Sequence, residues 1–356
     1  ENTFGTVTIL TENENSALRA VEITPFRIEG KYSDRRHPDE IKFAKTLKED
    51  LSRRDFTINA MAIKQDKVAD YFGGKDDLKN KIIKTVGDPD ERFREDALRI
   101  MRATRLATEL DFDIEKKTAE AIKNNSELIK EISVERVRDE LIKILSIPSK
   151  NPTGKIKFWQ ESELTESDLA SGAIKGVELL RDLGILKHII PELEAGMGVT
   201  QNKHHIFTVW EHNMRAFAYA VKMDFSLEVK IASLFHDIGK PHSKRGEGPD
   251  STFYGHEVAG AKITSGILNR LKFPKNQRDK IIKLVRWHLF LSDPDKITLS
   301  AVKRVVRNVG QENIWELINV RKADRIGSGV PKAEPFRLRT YKALIDQALR
   351  EPISLK

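Results

Sequence analysis

The sequence predicts an α+β fold that is predominantly α-helical. Two segments near its start, residues 6–10 (TVTIL) and 20–28 (AVEITPFRI), alternate and are rich in β-branched residues, as paired strands are. From about Asp90 onward the apolar residues recur with a helical period. We therefore expect a small, incomplete sheet followed by helices.

Composition limits the possible functions. The chain has 356 residues, enough for more than one core, and its formal charge of +8 with a pI near 9.3 favours an anionic partner such as nucleic acid. It has no cysteine, which excludes disulfides, thiolate metal sites and a cysteine nucleophile. No long apolar run or leader pattern is evident, so we expect a cytoplasmic protein. Because the chain begins at Glu1 and its first residues resemble the inside of a sheet, we also expect a piece of a longer chain.

Each element follows from local patterns. The two strands flank the polar stretch TENENSAL, and the polar composition from Gly30 to Asp50 predicts a long loop. A glycine-pair turn follows in DYFGGKDDL. Residues 90–110 predict one strong helix, and SVERVRDELIKIL predicts another with Ser133 as its N-cap. Two prolines and a glycine between 147 and 166 indicate a domain boundary.

One group of charges lies in EDALRIMR. On one helix, Glu95, Arg99 and Arg102 would fall at i, i+4 and i+7, with Asp96 three residues before Arg99, so all four would share roughly one face. One interpretation is a solvated stripe of ion pairs. The other is a template, since a carboxylate and a guanidinium held together can bind the Watson–Crick edge of cytosine or adenine.

A second group lies in RRDFTINA. One interpretation is a strand entry with surface charges and a satisfied asparagine. However, Asn59 lies inside the apolar run FTINAMAI, where an amide needs partners. Arginine for phosphate, with aspartate and asparagine for ribose hydroxyls, would make the two groups parts of one nucleotide pocket.

These motifs resemble a known family. VEITPFR, SDRRHPDE, RRDFTINAMA, DYFGGKDDL, GDPDERFREDALRIMRATR and SVERVRDEL follow the order and spacing of the class II tRNA nucleotidyltransferase and poly(A) polymerase family, and are most similar to bacterial CCA-adding enzymes with an HD domain. The resemblance implies part of a nucleotidyltransferase head (1–89), a helical neck with a nucleobase-reading helix (90–165), an HD-type helical domain (166–330) and the start of a tRNA-binding region (331–356). The implied substrates are the tRNA 3′ end, CTP and ATP.

The resemblance also implies roles for residues. Arg53, Arg54, Asp55 and Asn59 match the ribose-and-phosphate motif, while Glu95, Asp96 and Arg99 match the template that selects CTP and ATP, with Arg102 beside them. Glu22 is similar to a catalytic carboxylate near the magnesium site. Gly73, Gly74 and Asp77 are similar to a motif that couples head and neck movements.

One motif expected of this family is missing from the residues before GTVTIL. The glycine-serine turn and the Asp-x-Asp pair that hold two Mg²⁺ ions are expected before this segment, and the four preceding residues do not contain them. We therefore expect these 356 residues alone to bind nucleotide poorly and to add none. The polar loop at 30–50 is similar to that of enzymes that add the terminal A, which favours addition of CCA or of A.

Seven of the nine histidines lie between 204 and 288. Imidazoles and carboxylates are good ligands for divalent transition metals, and His236 and Asp237 end an apolar helix. The ordered set resembles the HD phosphohydrolase superfamily. By that resemblance the metal ligands are His212, His236, Asp237, His256, His288 and Asp324, for an ion such as Mn²⁺ or Ni²⁺. Lys240 is either a phosphate contact or a helix C-cap lysine.

Three functional hypotheses remain open at this point. The first is a tRNA nucleotidyltransferase, with a bacterial poly(A) polymerase as its alternative. The second is a metal-dependent phosphohydrolase as the only competent activity, hydrolysing for example a 2′,3′-cyclic phosphate on damaged tRNA. The third is a non-catalytic RNA-binding body that uses basic residues in 276–288 and 303–307.

Overall fold

A computed structural model describes residues 6–15, 18–29, 41–150, 152, 163–170, 172–202, 206–291, 297–329 and 335–351. It forms two compact units, Glu1–Ile132 and Ser133–Lys356. Residues 30–40 of the polar loop predicted at 30–50, most of the boundary predicted at 147–166, and His204 lie outside the described residues. The loop prediction is wrong for 41–50, which contain a strand at Ile41–Phe43 and the start of the helix Leu47–Ser52. Within the described part of the chain, no helix is long and apolar enough to cross a membrane.

The strands of the first unit form two-stranded pairs. Strand β1 (Val7–Leu10) pairs antiparallel with β2 (Ala20–Ile23), and β3 (Arg27–Glu29) pairs antiparallel with β4 (Ile41–Phe43). The predicted strand at 20–28 is therefore two strands. Pro25 lies between them and has no backbone N–H to continue the ladder. The pairing predicted across TENENSAL is confirmed for β1 and β2.

The other strands are a hairpin and a short parallel pair. Strands β5 (Met61–Lys64) and β6 (Lys67–Asp70) form the hairpin, whose turn residues Gln65 and Asp66 have φ of 47° and 62°. Strand β7 (Ile82–Ile83) runs parallel to β8 (Asp113–Ile114).

Helices supply the core of the first unit. They are α1 (Leu47–Ser52), α2 (Gly74–Asn80), α3 (Pro89–Glu95), α4 (Leu98–Glu109) and α5 (Lys116–Asn125), with 3₁₀ turns at Thr57–Asn59 and Ser126–Glu131. The largest buried side chains include Phe56 and Phe93. Phe56 belongs to the 53–59 segment and Phe93 to α3, so each contributes a fully buried ring to the core of this unit.

The single helix predicted over 90–110 is wrong. Helix α3 ends at Glu95, and Asp96 follows it with φ −140° and ψ 101°, outside the helical region. The Asp96 carboxylate accepts a hydrogen bond from Leu98 N at 3.1 Å, at the start of α4. Aspartate commonly satisfies the unpaired N–H groups of a helix start in this way, which explains the break.

The second unit is helical. Its elements are α6 (Val134–Ser146), α7 (Glu166–Leu169), α8 (Gly172–Asp182), α9 (Leu186–Ile189), α10 (Pro191–Glu194), α11 (Val209–Lys222), α12 (Leu227–Phe235), α13 (Lys240–Ser243), α14 (His256–Arg270), α15 (Lys275–Trp287), α16 (Leu299–Val309), α17 (Ile314–Gly327) and α18 (Pro335–Arg350). Helix α6 confirms the prediction from SVERVRDELIKIL. Ser133 is its N-cap position, although its side chain makes no capping hydrogen bond.

Close packing of α11 and α17 organises this unit. A Cβ on Gly327 would lie 2.8 Å from the backbone nitrogen of Ala216, so only glycine allows this approach. Ala216, Tyr219 and Ala323 form a buried cluster there. The two helices carry His212 and Asp324, which this packing brings together.

Candidate nucleotide site and candidate metal centre

Helix α1 positions the first arginines of the 53–59 segment. A capping box between Thr46 and Glu49 fixes its start. Asp50, 5% exposed, accepts hydrogen bonds from Arg53 Nε at 3.1 Å and Nη2 at 2.8 Å. Arg54 is exposed and donates to the carbonyl oxygen of Asn59 at 3.2 Å. Asp50 therefore holds Arg53 in place, while Arg54 remains at the surface.

Asp55 is the centre of this segment. Its Oδ1 accepts from Phe56 N at 2.9 Å and from Asn59 Nδ2 at 3.3 Å. Asn59 lies on the 3₁₀ turn and is half-buried, and strand β5 begins two residues later at Met61, so this stretch does lead into a strand. The Asp55 carboxylate is therefore the hydrogen-bond partner that the Asn59 amide needs among its apolar neighbours.

Helix α4 reaches this segment through two arginines. Arg102 donates to Asp55 Oδ2 from Nε at 2.9 Å and Nη2 at 2.6 Å. Arg99, 7% exposed, donates to Arg53 O at 3.1 Å and to Glu95 Oε2 at 2.7 Å. The structure thus brings Glu95, Arg99 and Arg102 together with Arg53 and Asp55.

Two predicted residues are placed differently. Asp96 lies outside both helices, and its carboxylate bonds the start of α4, so it does not share a helical face with Arg99 and Arg102 as predicted. Glu22 lies on β2 opposite Thr8 and is exposed. Among the described residues, no hydrogen bond or ion pair joins Glu22 to the 53–59 segment.

The glycine pair lies directly against this segment. A Cβ on Gly74 would lie 2.2 Å from the carbonyl oxygen of Thr57, so α2 can start there only with glycine. Asp77 Oδ2 accepts from the Thr57 hydroxyl at 2.7 Å. The motif at 73–77 is therefore joined physically to the Arg53–Asn59 segment.

The candidate metal centre lies in the second unit. Its residues come from five helices. They lie on α11, at the ends of α12 and α15, at the start of α14 and in the last turn of α17. They are His212, His236, Asp237, His256, His288 and Asp324, none more than 7% exposed. The structure brings all six together.

Asp237 lies between two groups of histidines. Its Oδ2 is 3.2 Å from His212 Nε2 and 3.3 Å from His236 Nε2. Its Oδ1 is 3.1 Å from His256 Nε2 and 3.5 Å from His288 Nε2. Each group, with Asp237, could hold a metal ion. Asp324 Oδ1 adds a carboxylate 3.2 Å from His212 Nε2.

Hydrogen bonds fix three of the rings. The Nδ1 atoms of His236, His256 and His288 lie 2.7–2.8 Å from the carbonyl oxygens of Ser233, Phe253 and Val285. A carbonyl can only accept, so Nδ1 carries a proton in each ring, and Nε2 is the atom that can bind a cation once it is deprotonated. Among the described residues, His256 Nε2 and His288 Nε2 make no hydrogen bond although they are buried. This donor set fits a divalent cation.

Electrostatics agree with a cation site. Burial lowers the pKa of His236, but the carboxylates of Asp237 and Asp324 outweigh it and raise that pKa to about 10. Burial raises the pKa of Asp237, yet the Lys240 ammonium group and His236 hold it well below its usual 3.8. The two carboxylates therefore stabilise a proton on His236, and a cation that binds there would displace that proton.

Lys240 is the first residue of α13, so the C-cap interpretation is wrong. It is 5% exposed, and its Nζ lies 2.6 Å from Asp237 Oδ2 and 2.6 Å from Gln201 Oε1. A Cβ on the preceding Gly239 would lie 2.2 Å from the His256 carbonyl oxygen, which explains the glycine of HDIG.

Sequence reasoning missed three residues of these sites. Asp50 could have been found, since it lies three and four residues before Arg53 and Arg54 within the same motif. Gln201 and Arg321 gave no sequence signal. Arg321 pairs with Asp324, and Gln201 holds Lys240.

Comparison with known proteins identifies the family of the chain. Three family models match: "Poly A polymerase head domain" at residues 1–84, "Probable RNA and SrmB- binding site of polymerase A" at 111–152 and "HD domain" at 209–327. The chain is 53% identical over 141 residues to the CCA-adding enzyme of Lactobacillus helveticus, covering 39% of this chain and 34% of that protein. The chain thus spans about a third of the length of such relatives.

A longer match exists in Deinococcus radiodurans. Its A-adding tRNA nucleotidyltransferase is 30% identical over 322 residues, covering 87% of this chain and 67% of that protein. A crystal structure of the Bacillus stearothermophilus CCA-adding enzyme in complex with CTP shares the fold, with a TM-score of 0.61, 23% identity and coverage of 98% of this chain and 67% of that one. This confirms the predicted fold class. The chain belongs to the tRNA nucleotidyltransferase and poly(A) polymerase family and contains an HD domain.

Proposed function

We propose that this chain contains the nucleotide-selecting part of a tRNA nucleotidyltransferase that adds CCA, or the terminal A, to tRNA 3′ ends from CTP and ATP. One observation carries the proposal: Arg102 of α4 is bonded to Asp55 of the 53–59 segment. The groups suited to a sugar and phosphates thereby lie beside the groups suited to a base. The relatives' names, CCA-adding enzyme and A-adding tRNA nucleotidyltransferase, support tRNA as the acceptor and C and A as the nucleotides added.

The proposed division of roles follows from exposure. Arg54 is exposed and binds phosphate oxygens. Asp55 and Asn59 accept from and donate to the ribose hydroxyls. Glu95 and Arg53 hold the guanidinium of Arg99, which is 7% exposed, and we assign this group together with the Asp96 carboxylate to the Watson–Crick edge of C or A.

Nucleotide selection provides the first test. Equilibrium dialysis with labelled CTP, ATP, GTP and UTP should show preference for CTP and ATP, even though we expect weak binding. Asp55→Ala should weaken all four, whereas Arg99→Ala should reduce the preference itself. Equal binding of the four nucleotides would contradict the proposal.

The products separate the two family activities. Incubation with tRNA ending in CC, ATP and Mg²⁺ tests the expectation that these residues alone add nothing, which an extended product would contradict. In any form of the protein that extends RNA, a single A after CC supports tRNA end addition, while a long A tract supports the poly(A) polymerase alternative.

We propose the cytoplasm, where tRNA is matured, as its compartment.

We propose a second activity for the HD domain, the metal-dependent hydrolysis of a phosphate ester. The observation that favours it is Asp237, whose two oxygens face two separate histidine groups. The first cation would be held by His212, His236, Asp237 and Asp324, and a second by Asp237, His256 and His288. Mn²⁺ and Ni²⁺ suit such imidazole and carboxylate sets.

The proposed reaction is attack of water on the phosphorus of the ester. Divalent cations at this site would activate water and neutralise the phosphate charge. The water oxygen forms a bond to phosphorus, the ester P–O bond breaks, and the water proton ends on the leaving sugar oxygen. Lys240 provides a fixed positive charge beside Asp237.

Elemental analysis tests the metal site. The protein, after exposure to Mn²⁺ or Ni²⁺ and removal of free ion, should retain stoichiometric metal, and His236→Ala should lose it. His242→Ala is a matched control, because His242 is an exposed histidine of α13. Metal content unaffected by His236→Ala would refute the assignment.

A further inference from the structure

A buried carboxylate joins three parts of the first unit. Asp50 lies on the last turn of α1 and is 5% exposed. Its Oδ1 accepts a hydrogen bond from Arg27 N of β3 at 3.3 Å, as well as those from the Arg53 guanidinium. Its Oδ2 lies 3.7 Å from Arg54 Nη2. A buried carboxylate is costly unless donors and cations surround it, and these contacts provide them. Asp50 therefore fastens the last turn of α1 to β3 and to Arg53.

The end of α1 carries a backbone group that contacts the base-reading arginine. Arg53 is the C-cap residue of α1, and its carbonyl oxygen accepts from Arg99 Nη2 at 3.1 Å. Two further acceptors of this guanidinium, Arg92 O at 3.1 Å and Glu95 Oε2 at 2.7 Å, belong to α3. The Arg53 carbonyl therefore fixes Arg99 relative to the 53–59 segment, which the contacts with α3 do not do.

Helix α1 is too short to fix the position of its own end. It has 6 residues, whereas isolated helices below about 12 residues are marginal in water. The orientation of its last residues therefore depends on contacts with other groups, and the contact between Asp50 and Arg53 lies at the carbonyl that Arg99 binds. With Nε and Nη2 both bonded to Asp50, the Arg53 side chain is only 18% exposed and anchors its own backbone.

We propose that Asp50 is a positioning residue for nucleobase selection, because it anchors Arg53 and the Arg53 carbonyl in turn orients the guanidinium of Arg99. Arg53 then supports the template, while Arg54 is the arginine that binds phosphate. Asp50 itself touches no part of the nucleotide in this arrangement. This inference rests on the nucleotide selection proposed above.

The reactivity of single arginines tests this link without any nucleotide. Phenylglyoxal modifies accessible guanidinium groups, and peptide mass spectrometry reports the rate at each arginine. Asp50→Asn keeps the shape of the side chain and removes its charge, so we expect Arg53 and Arg99 to react about threefold faster. Arg105, whose 16% exposed side chain lies on α4 and pairs with Glu109, should keep its rate. A faster Arg53 with an unchanged Arg99 would overturn the proposal.

Two further variants separate positioning from helix stability. Thr46→Ala removes the N-terminal cap of α1 and leaves the contact between Asp50 and Arg53 in place. We expect Arg99 to stay protected in this variant. Arg53→Met removes the anchored guanidinium and should make Arg99 as reactive as it is in Asp50→Asn. Equal reactivity of Arg99 in Thr46→Ala and Asp50→Asn, or an equal rise at Arg105, would show general loosening and would overturn the proposal.

Nucleotide preference is the functional readout. CTP and UTP share the sugar and the phosphates and differ at the Watson–Crick edge, where C offers an amine and U a carbonyl oxygen. In equilibrium dialysis, Asp50→Asn should lower the ratio of CTP to UTP affinity about threefold, whereas Arg54→Ala should weaken both nucleotides and keep the ratio. A CTP preference that survives in Asp50→Asn would refute the positioning role alone. Equal binding of CTP and UTP by the unsubstituted protein would refute the proposed function, and arginine reactivity would still decide whether Asp50 orients Arg99.

Discussion

Arg102 holds Asp55 with two hydrogen bonds, from Nε at 2.9 Å and from Nη2 at 2.6 Å, across 47 positions of the sequence. The Asp55 side chain is 11% exposed and that of Arg102 is 34% exposed. A planar guanidinium that donates twice to one carboxylate gives a directional link as well as a Coulombic one. The contact therefore ties α4 to the segment that begins at Arg53.

We predict measurable coupling between these two residues. A double-mutant cycle with Asp55→Ala and Arg102→Ala should give about 1–2 kcal/mol in the free energy of unfolding by urea. The control cycle uses Arg105 and Glu109, a pair one turn apart on α4, and should give only about 0.3–0.5 kcal/mol. Equal coupling in both cycles would show that the Asp55 contact has no special role.

Gly239 should be essential for the metal centre. Gly239→Ala places a Cβ 2.2 Å from the His256 carbonyl oxygen, so α14 must move and carry His256 with it. We expect loss of retained metal in elemental analysis. Gly266→Ala in the same helix is the control, because its Cβ would meet nothing within 4 Å and alanine favours helix. Full metal content in Gly239→Ala would contradict the prediction.

Asp70 should make the stability of the first unit depend on pH in the acidic range. Its Oδ1 accepts from the backbone N–H groups of Phe72, Gly73 and Gly74, and its Oδ2 from that of Lys75. Burial raises the pKa of Asp70, but these donors together lower it below 3.8. Its stabilisation is therefore present above that value and is lost as the pH falls through the lowered pKa.

Asp70→Asn tests this sign. At about pH 7 the variant should be less stable by about 1 kcal/mol, since it loses the charge-assisted bonds at the start of α2. The difference from the unsubstituted protein should shrink as the pH falls below about 4, where the aspartate is protonated as well. Urea unfolding at several pH values measures it, and a difference that grows in acid would have the wrong sign.

Removing only one partner of the buried ion pair between Lys222 and Asp168 should strongly lower the free energy of unfolding. Lys222 Nζ lies 2.8 Å from Asp168 Oδ2, and the two residues are 6% and 2% exposed. Asp168→Ala leaves a buried ammonium group without its counter-ion and should destabilise by about 3–5 kcal/mol. The double variant Lys222→Met with Asp168→Leu removes both charges and should recover most of the loss. Chemical denaturation of the unsubstituted protein, Asp168→Ala and the double variant measures these differences in the free energy of unfolding.

Local patterns predicted the helical content and the β1–β2 pairing, because these depend on period and residue type, whereas the roles of the site residues came from the resemblance of whole motifs to a known family. Local patterns failed at Asp96, where a side-chain hydrogen bond to Leu98 N ends one helix and starts the next. They also failed at Gln201, since its contact with Lys240 depends on how distant segments pack. No helical period encodes such contacts.

The three carbonyl bonds to His236, His256 and His288 mean that these rings are already aligned when the protein folds. The rotational entropy of the imidazoles is lost during folding rather than on ligation. Cation affinity at this centre is thus set in advance by the geometry of three helix ends, and a distant substitution that tilts any one of them would weaken ligation without touching a ligand.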